Sequence, residues 1–336
     1  MSNRFGSLFA GVGGFDLGFE QAGWQCAWQV EIDKYCHSVL NRHWPDIPKY
    51  FDVTKVGGRQ LSAVDCITFG SPCQDLSVGG YQEGLEGSRS KLFYEAVRII
   101  KEMRDATENR FPKWAIWENV PGALTSNKGN DFAKVLDEMG NIGALVQEWH
   151  VLDAQWFGVA QRRRRVYLVA CFDAATAGRC GSQILPVPED SRGNIKKSRT
   201  KRKQAARAAA SSSSKTIFYG KSGYGKWTEG GVTIAASDYK RPERNFALHI
   251  KQDPISSEET TPCITEQMGI GVFNTGESVL RRLTPIECER LMGFPDDHTK
   301  YGYNGETIAV SNRYKMCGNA VAVPVAHWIA KQISKI

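Results

Sequence analysis

The sequence predicts an α/β fold with a mostly parallel sheet and a second, irregular domain inserted late in the chain. Three observations carry this expectation. Short apolar runs alternate with amphipathic stretches through the first half, a glycine-rich turn follows the first apolar run, and the alternation stops near Phe172. Strands separated by helix-length segments need crossover connections, and those connections make parallel sheets.

The elements follow in order. "RFGSLFA" and "CAWQVEI" read as buried strands, with a helix from about Phe15 to Gln21 between them. A helix over 33–43 comes next, then a short strand ending near Asp52, then the strand "VDCITF". "KLFYEAVRIIKEM" carries the 3.6-residue period through Leu92, Phe93, Ala96, Val97 and Ile100. "WAIWENV" is a strand, "DFAKVLDEM" a helix, and "LVQEWHVL" and "RVYLVACF" are two further strands. After a stretch rich in Gly, Ser and Thr, helical signals return in "TPIECERLMGF", and the apolar C-terminal segment is suited to pack back onto the sheet.

Composition narrows the class. With 41% hydrophobic and 24% charged residues, the 336-residue chain is an ordinary soluble globular protein, long enough for two domains. It shows no signal peptide pattern and no apolar run of membrane-spanning length, so the expected compartment is the cytoplasm. Nine scattered cysteines without a Cys-x-x-Cys pair, and six histidines without a His-x-x-x-His pair, argue against a disulfide framework and against a metal site. Most of those thiols are small buried hydrophobes.

The net charge of +7 conceals an asymmetry: residues 160–215 hold fourteen Lys and Arg against Asp173, Glu189 and Asp190. A basic block in an otherwise balanced chain fits a polyanion partner, although "KKSRTKRKQAARAAASSSSK" taken alone reads equally as a solvated, flexible linker.

Chemistry concentrates at predicted strand ends. Gly11, Gly13 and Gly14 follow a strand and open a helix, which lets backbone amides approach a ligand. Asp16 occupies the third glycine position of a dinucleotide fingerprint, which disfavours a pyrophosphate and suits a ligand with a cationic portion. Glu31, 20 residues after Gly11, stands where an acid accepts hydrogen bonds from ribose hydroxyls. Asp52 is either part of that nucleoside site or a turn-forming aspartate. Cys73, in the glycine-flanked loop "GSPCQDLSVGG", is a candidate nucleophile on the same rim, and Glu118 ends the neighbouring strand. The run "QRRRR" at 161–165 leads into a strand, so alternation sends Arg163 and Arg165 to one side.

In this order "FAGVGG", "EID", "FDVT", "GSPCQDLS", "GSRSKLF", "ENV", "QRRRR", "RRLTPIECERLMGFP" and "NRYKMCGNAVAVPV" resemble the motifs of the cytosine carbon-5 DNA methyltransferases. Ser71 stands where that family commonly has Phe or Pro. The resemblance implies a Rossmann-like, S-adenosylmethionine-dependent methyltransferase domain over 1–172 and 307–336. A smaller target-recognition domain would span 173–306, with a flexible basic linker at about 194–215. It implies catalytic roles for Cys73, Glu118, Arg163 and Arg165. Phe9, Gly11, Gly13, Gly14, Glu31, Ile32, Asp52, Val53, Leu92, Asn319 and Ala320 would bind the cofactor. Pro72, Gln74, Ser88, Asn119 and Gln161 would bind the substrate.

The implied partners are double-stranded DNA and S-adenosylmethionine, with a cognate restriction endonuclease as a further partner, and the chain would act as a monomer that flips its target cytosine out of the duplex. Two readings stand beside this one: a transfer-RNA cytosine methyltransferase with the same core, and a catalytically inactive nucleic-acid-binding homologue. A nicotinamide dehydrogenase fits less well, because Asp16 interrupts its fingerprint.

Overall fold

Apolar runs that are buried on both faces make central strands, and the first of them, β1 (Arg4–Leu8), seeds the sheet. The computed structural model describes residues 2–71, 91–180, 183–186, 216–217, 219–221, 227–229, 271–274 and 279–336. Strands β2 (Gln25–Val30), β3 (Lys49–Tyr50), β4 (Cys66–Phe69), β5 (Trp114–Asn119), β6 (Val146–Asp153) and β7 (Arg164–Cys171) complete a seven-stranded sheet in the order β3-β2-β1-β4-β5-β7-β6.

Helices α1 (Gly14–Gln21), α2 (Lys34–His43), α3 (Lys91–Ala106) and α4 (Asn130–Asn141) connect these strands, and a short α5 (Ala174–Ala177) follows β7. The first five strands are parallel, as expected. Within this mostly parallel sheet β7 runs antiparallel to β5, with Glu118 opposite Tyr167.

Helix α3 buries Phe93, Ala96, Val97, Ile99, Ile100 and Met103 against the sheet, while Leu92 is half-buried. Asp33 caps α2 by accepting from Tyr35 N at 2.9 Å and Cys36 N at 3.2 Å.

Two compact units emerge. One holds 1–152, 164–187 and 325–336, and the other holds 153–163 and 188–324. This division departs from the boundaries read in sequence, because 153–163 and 307–324 fall in the second unit. The reason is a set of long-range bonds there: Gln161 Nε2 donates to Leu291 O at 3.0 Å, and Arg163 Nη2 donates to Ala320 O at 2.8 Å. Residues 183–186 stay with the first unit, where Glu148 Oε1 accepts from Leu185 N at 3.2 Å. The C-terminal residues return there as well, since Trp24 Nε1 donates to Ser334 Oγ at 2.8 Å.

Within the second unit, β8 (Thr216–Ile217), β11 (Gly271–Asn274) and β12 (Val279–Arg282) form an antiparallel sheet in the order β12-β11-β8. β9 (Tyr219–Lys221) pairs antiparallel with β10 (Trp227–Glu229). The linker expected at about 194–215 lies outside the described residues. Helix α6 (Pro285–Met292) starts at a capping box in which Thr284 and Glu287 bond reciprocally. It packs with α7 (Val310–Asn319) around a buried ion pair, Arg313 Nη2 to Glu289 Oε1 at 2.8 Å. Thr299 joins them, accepting from Arg313 Nε at 3.1 Å and donating its backbone N–H to Glu289 at 2.8 Å. The chain ends in α8 (Val323–Ile333).

Removing one partner from a buried pair strands the other charge, at a cost of about 3–5 kcal/mol. Arg313→Ala is therefore expected to lower the denaturation midpoint of the second unit strongly, as followed by chemical denaturation. Thr284→Ala, which removes only an exposed cap, costs about 1 kcal/mol.

Candidate active site

The strand order reverses about β1: β2 and β3 lie on one side of it, β4 and β5 on the other. Ligands of open α/β sheets bind beyond the carboxyl ends of strands at such a switch point. Register aligns those ends here, since Leu8 pairs with Val30 and with Phe69, and Phe69 pairs with Trp117. One residue further along each strand stand Glu31, Phe9, Gly70 and Glu118. Neighbouring strands are about 4.8 Å apart, so the two acids flank a gap of roughly 14 Å.

The turn from β1 into α1 is left-handed at Phe9 (φ 54°), Gly11 (φ 58°) and Gly13 (φ 84°). The two glycines do different things. A Cβ on Gly13 would meet the Trp44 indole at 2.4 Å, whereas a Cβ on Gly11 would find nothing within 4 Å. Gly11 is therefore the glycine that leaves room for a ligand. Gly13 serves packing, which amends the even weight given to the glycines in sequence. Gly14 is the first residue of α1 and is buried.

Glu31 ties the turn to β2, its Oε2 accepting from Gly11 N at 2.7 Å and its Oε1 from Asp33 N at 2.8 Å. Burial raises its carboxyl above the ordinary glutamate value despite these two donors. The Ile32 N–H bonds this carboxylate as well, and with four lone-pair sites the two oxygens keep room for a hydroxyl donor. Beside it Ile32 is 70% exposed and Phe51 is 55% exposed, with Phe51 stacked on His37 at 3.8 Å. Exposed apolar groups next to a hydroxyl acceptor fit the base and sugar of a nucleoside. Asp52 forms a turn, accepting from Thr54 Oγ1 at 2.7 Å and Thr54 N at 3.0 Å. Those bonds hold its carboxyl below the usual range. Val53 is buried in the core.

Asp16 corrects the sequence reading. It is fully buried under the turn, not aimed at a ligand. It accepts from Gln29 Nε2 at 2.8 Å, Ser7 Oγ at 3.1 Å and Cys26 Sγ at 3.5 Å. Ser7 Oγ in turn lies 3.1 Å from Thr68 Oγ1, so one polar knot joins α1, β1, β2 and β4. Desolvation pushes the Asp16 carboxyl up to about 6.

Glu118 is the penultimate residue of β5 and is largely buried, with Arg165 Nε 3.1 Å from its Oε1. Arg165 also donates from Nη1 to Arg164 O at 2.8 Å. Gly70 leaves space for the acid, as a Cβ there would lie 3.1 Å from Glu118 Oε2. Cys73, Pro72, Gln74 and Ser88 lie outside the described residues.

Two residues expected to touch substrate are internal. Gln161 has no exposed surface, and its Nε2 contacts Leu291 O and, at 3.3 Å, Met292 Sδ. Asn119 is 1% exposed, donating to Ser71 O at 3.4 Å and accepting from Val120 N at 2.8 Å. In both cases the side-chain amide satisfies backbone groups where no water reaches. In the second unit Arg163 Nη2 donates to Gly318 O at 3.1 Å and to Ala320 O at 2.8 Å, bracketing the exposed Asn319. Contacts across 155 and 157 residues leave no local sequence signal.

Two outcomes follow. Gly11→Ala is expected to fold, with about 1 kcal/mol of backbone cost, yet to weaken S-adenosylmethionine binding at least about tenfold by calorimetry. Gly13→Ala is expected to lose stability first, because Trp44 occupies its Cβ position. For Asp16, the folded carboxyl near 6 lies above its unfolded value of 3.8. Its contribution to stability is fully present below pH 4 and is lost as pH rises through 6. Asp16→Asn removes this loss, so its stability relative to the parent should rise between pH 4.5 and 7.5 in denaturant titrations. An unchanged difference would place the proton elsewhere.

Comparison with known proteins bears on the whole chain. The family model described as C-5 cytosine-specific DNA methylase matches residues 3–335. "Type II methyltransferase M2.BsuMI" of Bacillus subtilis strain 168 is 30% identical, over 98% of this chain and 75% of that protein. "DNA N-6-adenine-methyltransferase" of Escherichia phage P1 is 26% identical over 98% of this chain, which spans 61% of that protein's length. Among solved structures, the S. pombe Dnmt2 methyltransferase superposes with a TM-score of 0.65 at 18% identity, covering 99% of both chains, and shows the same fold. The chain belongs to the C-5 cytosine-specific DNA methylase family.

Proposed function

We propose that this chain methylates carbon 5 of cytosine in duplex DNA through a covalent adduct at Cys73, with S-adenosylmethionine as cofactor. The observation that carries the reading is the switch-point rim: an open glycine turn tied to an acid at one end, and a buried, arginine-paired acid at the other, beside the strand that leads into Cys73.

The residues have distinct tasks. The Cys73 thiolate adds to carbon 6 of the flipped base, and the electron pair displaced from the carbon 5–carbon 6 bond makes carbon 5 nucleophilic. Glu118 holds a proton at ring nitrogen 3, which offsets the charge driven into the ring. Arg165, 3.1 Å from Glu118, fixes that carboxyl and supplies positive charge beside the base carbonyl. Bound S-adenosylmethionine supplies the methyl group that carbon 5 takes up. Loss of the carbon 5 proton and departure of Cys73 as thiolate then restore the aromatic ring. Gly11, Glu31 and the exposed Ile32 are the residues that would hold the cofactor.

The proposal extends to the setting. Type II methyltransferases among the relatives support a partner endonuclease that reads the same sequence. Among the described residues no helix is long and apolar enough to cross a membrane. The proposed setting is the cytoplasm, where the chain acts on DNA as a monomer.

Duplex DNA carrying 5-fluorocytosine tests the chemistry. Fluorine cannot leave as a proton does, so an adduct should accumulate only with S-adenosylmethionine present and map by peptide analysis to Cys73. Trapping of transfer RNA and not of DNA would overturn the substrate. Glu118→Gln, which cannot deliver a proton, should lower the methylation rate by about 100-fold or more while the adduct site stays the same.

A further inference from the structure

Two bonds hold the residue that lies just past the end of β4. Ser71 is the last described residue before the segment that carries Cys73, and it is only 6% exposed. Its hydroxyl accepts from Trp117 Nε1 at 3.0 Å, and its carbonyl accepts from Asn119 Nδ2 at 3.4 Å. Trp117 and Asn119 are the two neighbours of Glu118 on β5. The chain that leads into Cys73 is thus clamped on both sides of the acid that works with it.

Packing makes this clamp stiff. The Trp117 ring is 1% exposed, stacks on Phe132 with centroids 6.0 Å apart, and meets Phe93 edge-on at 6.0 Å. Its indole N–H has no water to turn to, so the Ser71 hydroxyl fills a buried requirement. Register holds the opposite side, because Phe69 pairs with Trp117. Gly70 lies directly against Glu118, where a Cβ would come within 3.1 Å of Oε2. Asn119 is itself oriented by the Val120 N–H at 2.8 Å.

We propose that Ser71 is a positioning residue, which with Trp117 and Asn119 sets where the Cys73 segment begins relative to Glu118. This rests on the reading of Cys73 as nucleophile. The device acts on chemistry, not on cofactor binding, because Ser71 bonds to the residues flanking the acid and to none of the residues of the glycine turn or Glu31. Small displacements of a nucleophile from its near-attack position have large effects on rate.

The test is single-turnover methylation by the full chain, using tritiated S-adenosylmethionine and unmethylated plasmid DNA, with cofactor affinity measured in parallel. Ser71→Ala is expected to slow the methyl-transfer step by about tenfold or more while S-adenosylmethionine affinity stays within about twofold. Ser71→Thr, which keeps the hydroxyl, should recover most of that rate. In a Trp117→Phe background, where no indole N–H remains, Ser71→Ala should have little further effect.

An equal rate loss in both backgrounds would overturn the clamp, as would a Ser71→Ala protein that melts earlier yet transfers methyl at the parent rate below its melting range. Should Trp117→Phe not fold, the Ala-against-Thr comparison decides alone. Cys73→Ala separates the two claims: if it retains activity, the reading of the nucleophile falls and the clamp with it. If it is inactive while Ser71→Ala reacts normally, only the clamp falls.

Discussion

Backbone pairing at the carboxyl ends of four strands is the constraint on which the rest of the first unit depends. Val30, Leu8, Phe69 and Trp117 stand in one row across β2, β1, β4 and β5. Side chains one residue past that row therefore emerge together, which is why Glu31 and Glu118 share a rim although 87 positions separate them. A slip of one residue in any pair would turn an acid to the opposite face of the sheet. The strand reversal about β1 then opens space above the row.

Beneath the rim lies a layer with no direct chemistry. Asp16, Ser7, Gln29, Cys26 and Thr68 exchange hydrogen bonds in a dry interior, and they join α1 to three strands. Both carboxylate oxygens of Asp16 have partners, while Gln29 Oε1 is left buried without one. Its raised pKa follows from that interior: the neutral carboxyl suffers less from lost hydration than the ion does. The same logic applies in the second unit, where Glu289 is buried only because Arg313 and Thr299 accompany it.

In the proposed function the rim divides work between its ends. At the Glu31 end, donors and exposed apolar groups surround a carboxylate that still has lone pairs to offer. At the Glu118 end, a guanidinium 3.1 Å away and a nearly buried setting restrict the acid to one orientation. Binding a flexible cofactor and holding a reacting ring make different demands. The first needs an acceptor with room for another donor, and the second needs preorganised charge.

The sequence by itself determined the alternation of strands and helices, because apolar periodicity and turn residues act over a few neighbours. It also determined which residue types cluster at strand ends, and through nine ordered motifs the family to which they belong. Only the tertiary structure decided where those residues stand and what they bond to. Asp16 reads as ligand-facing from its place in a motif, yet α1 turns it into the core. Gln161 and Asn119 read as substrate contacts from their motifs, and the structure holds both amides on buried backbone groups. Gly11 and Gly13 look equivalent until Trp44, 31 positions after Gly13, is seen against one of them. Arg163 and Ser71 find partners 155 and 46 residues away. The physical reason is common to all of these: local preference depends on neighbours in the chain, whereas burial and hydrogen-bond partnership depend on neighbours in space, which the chain order does not list.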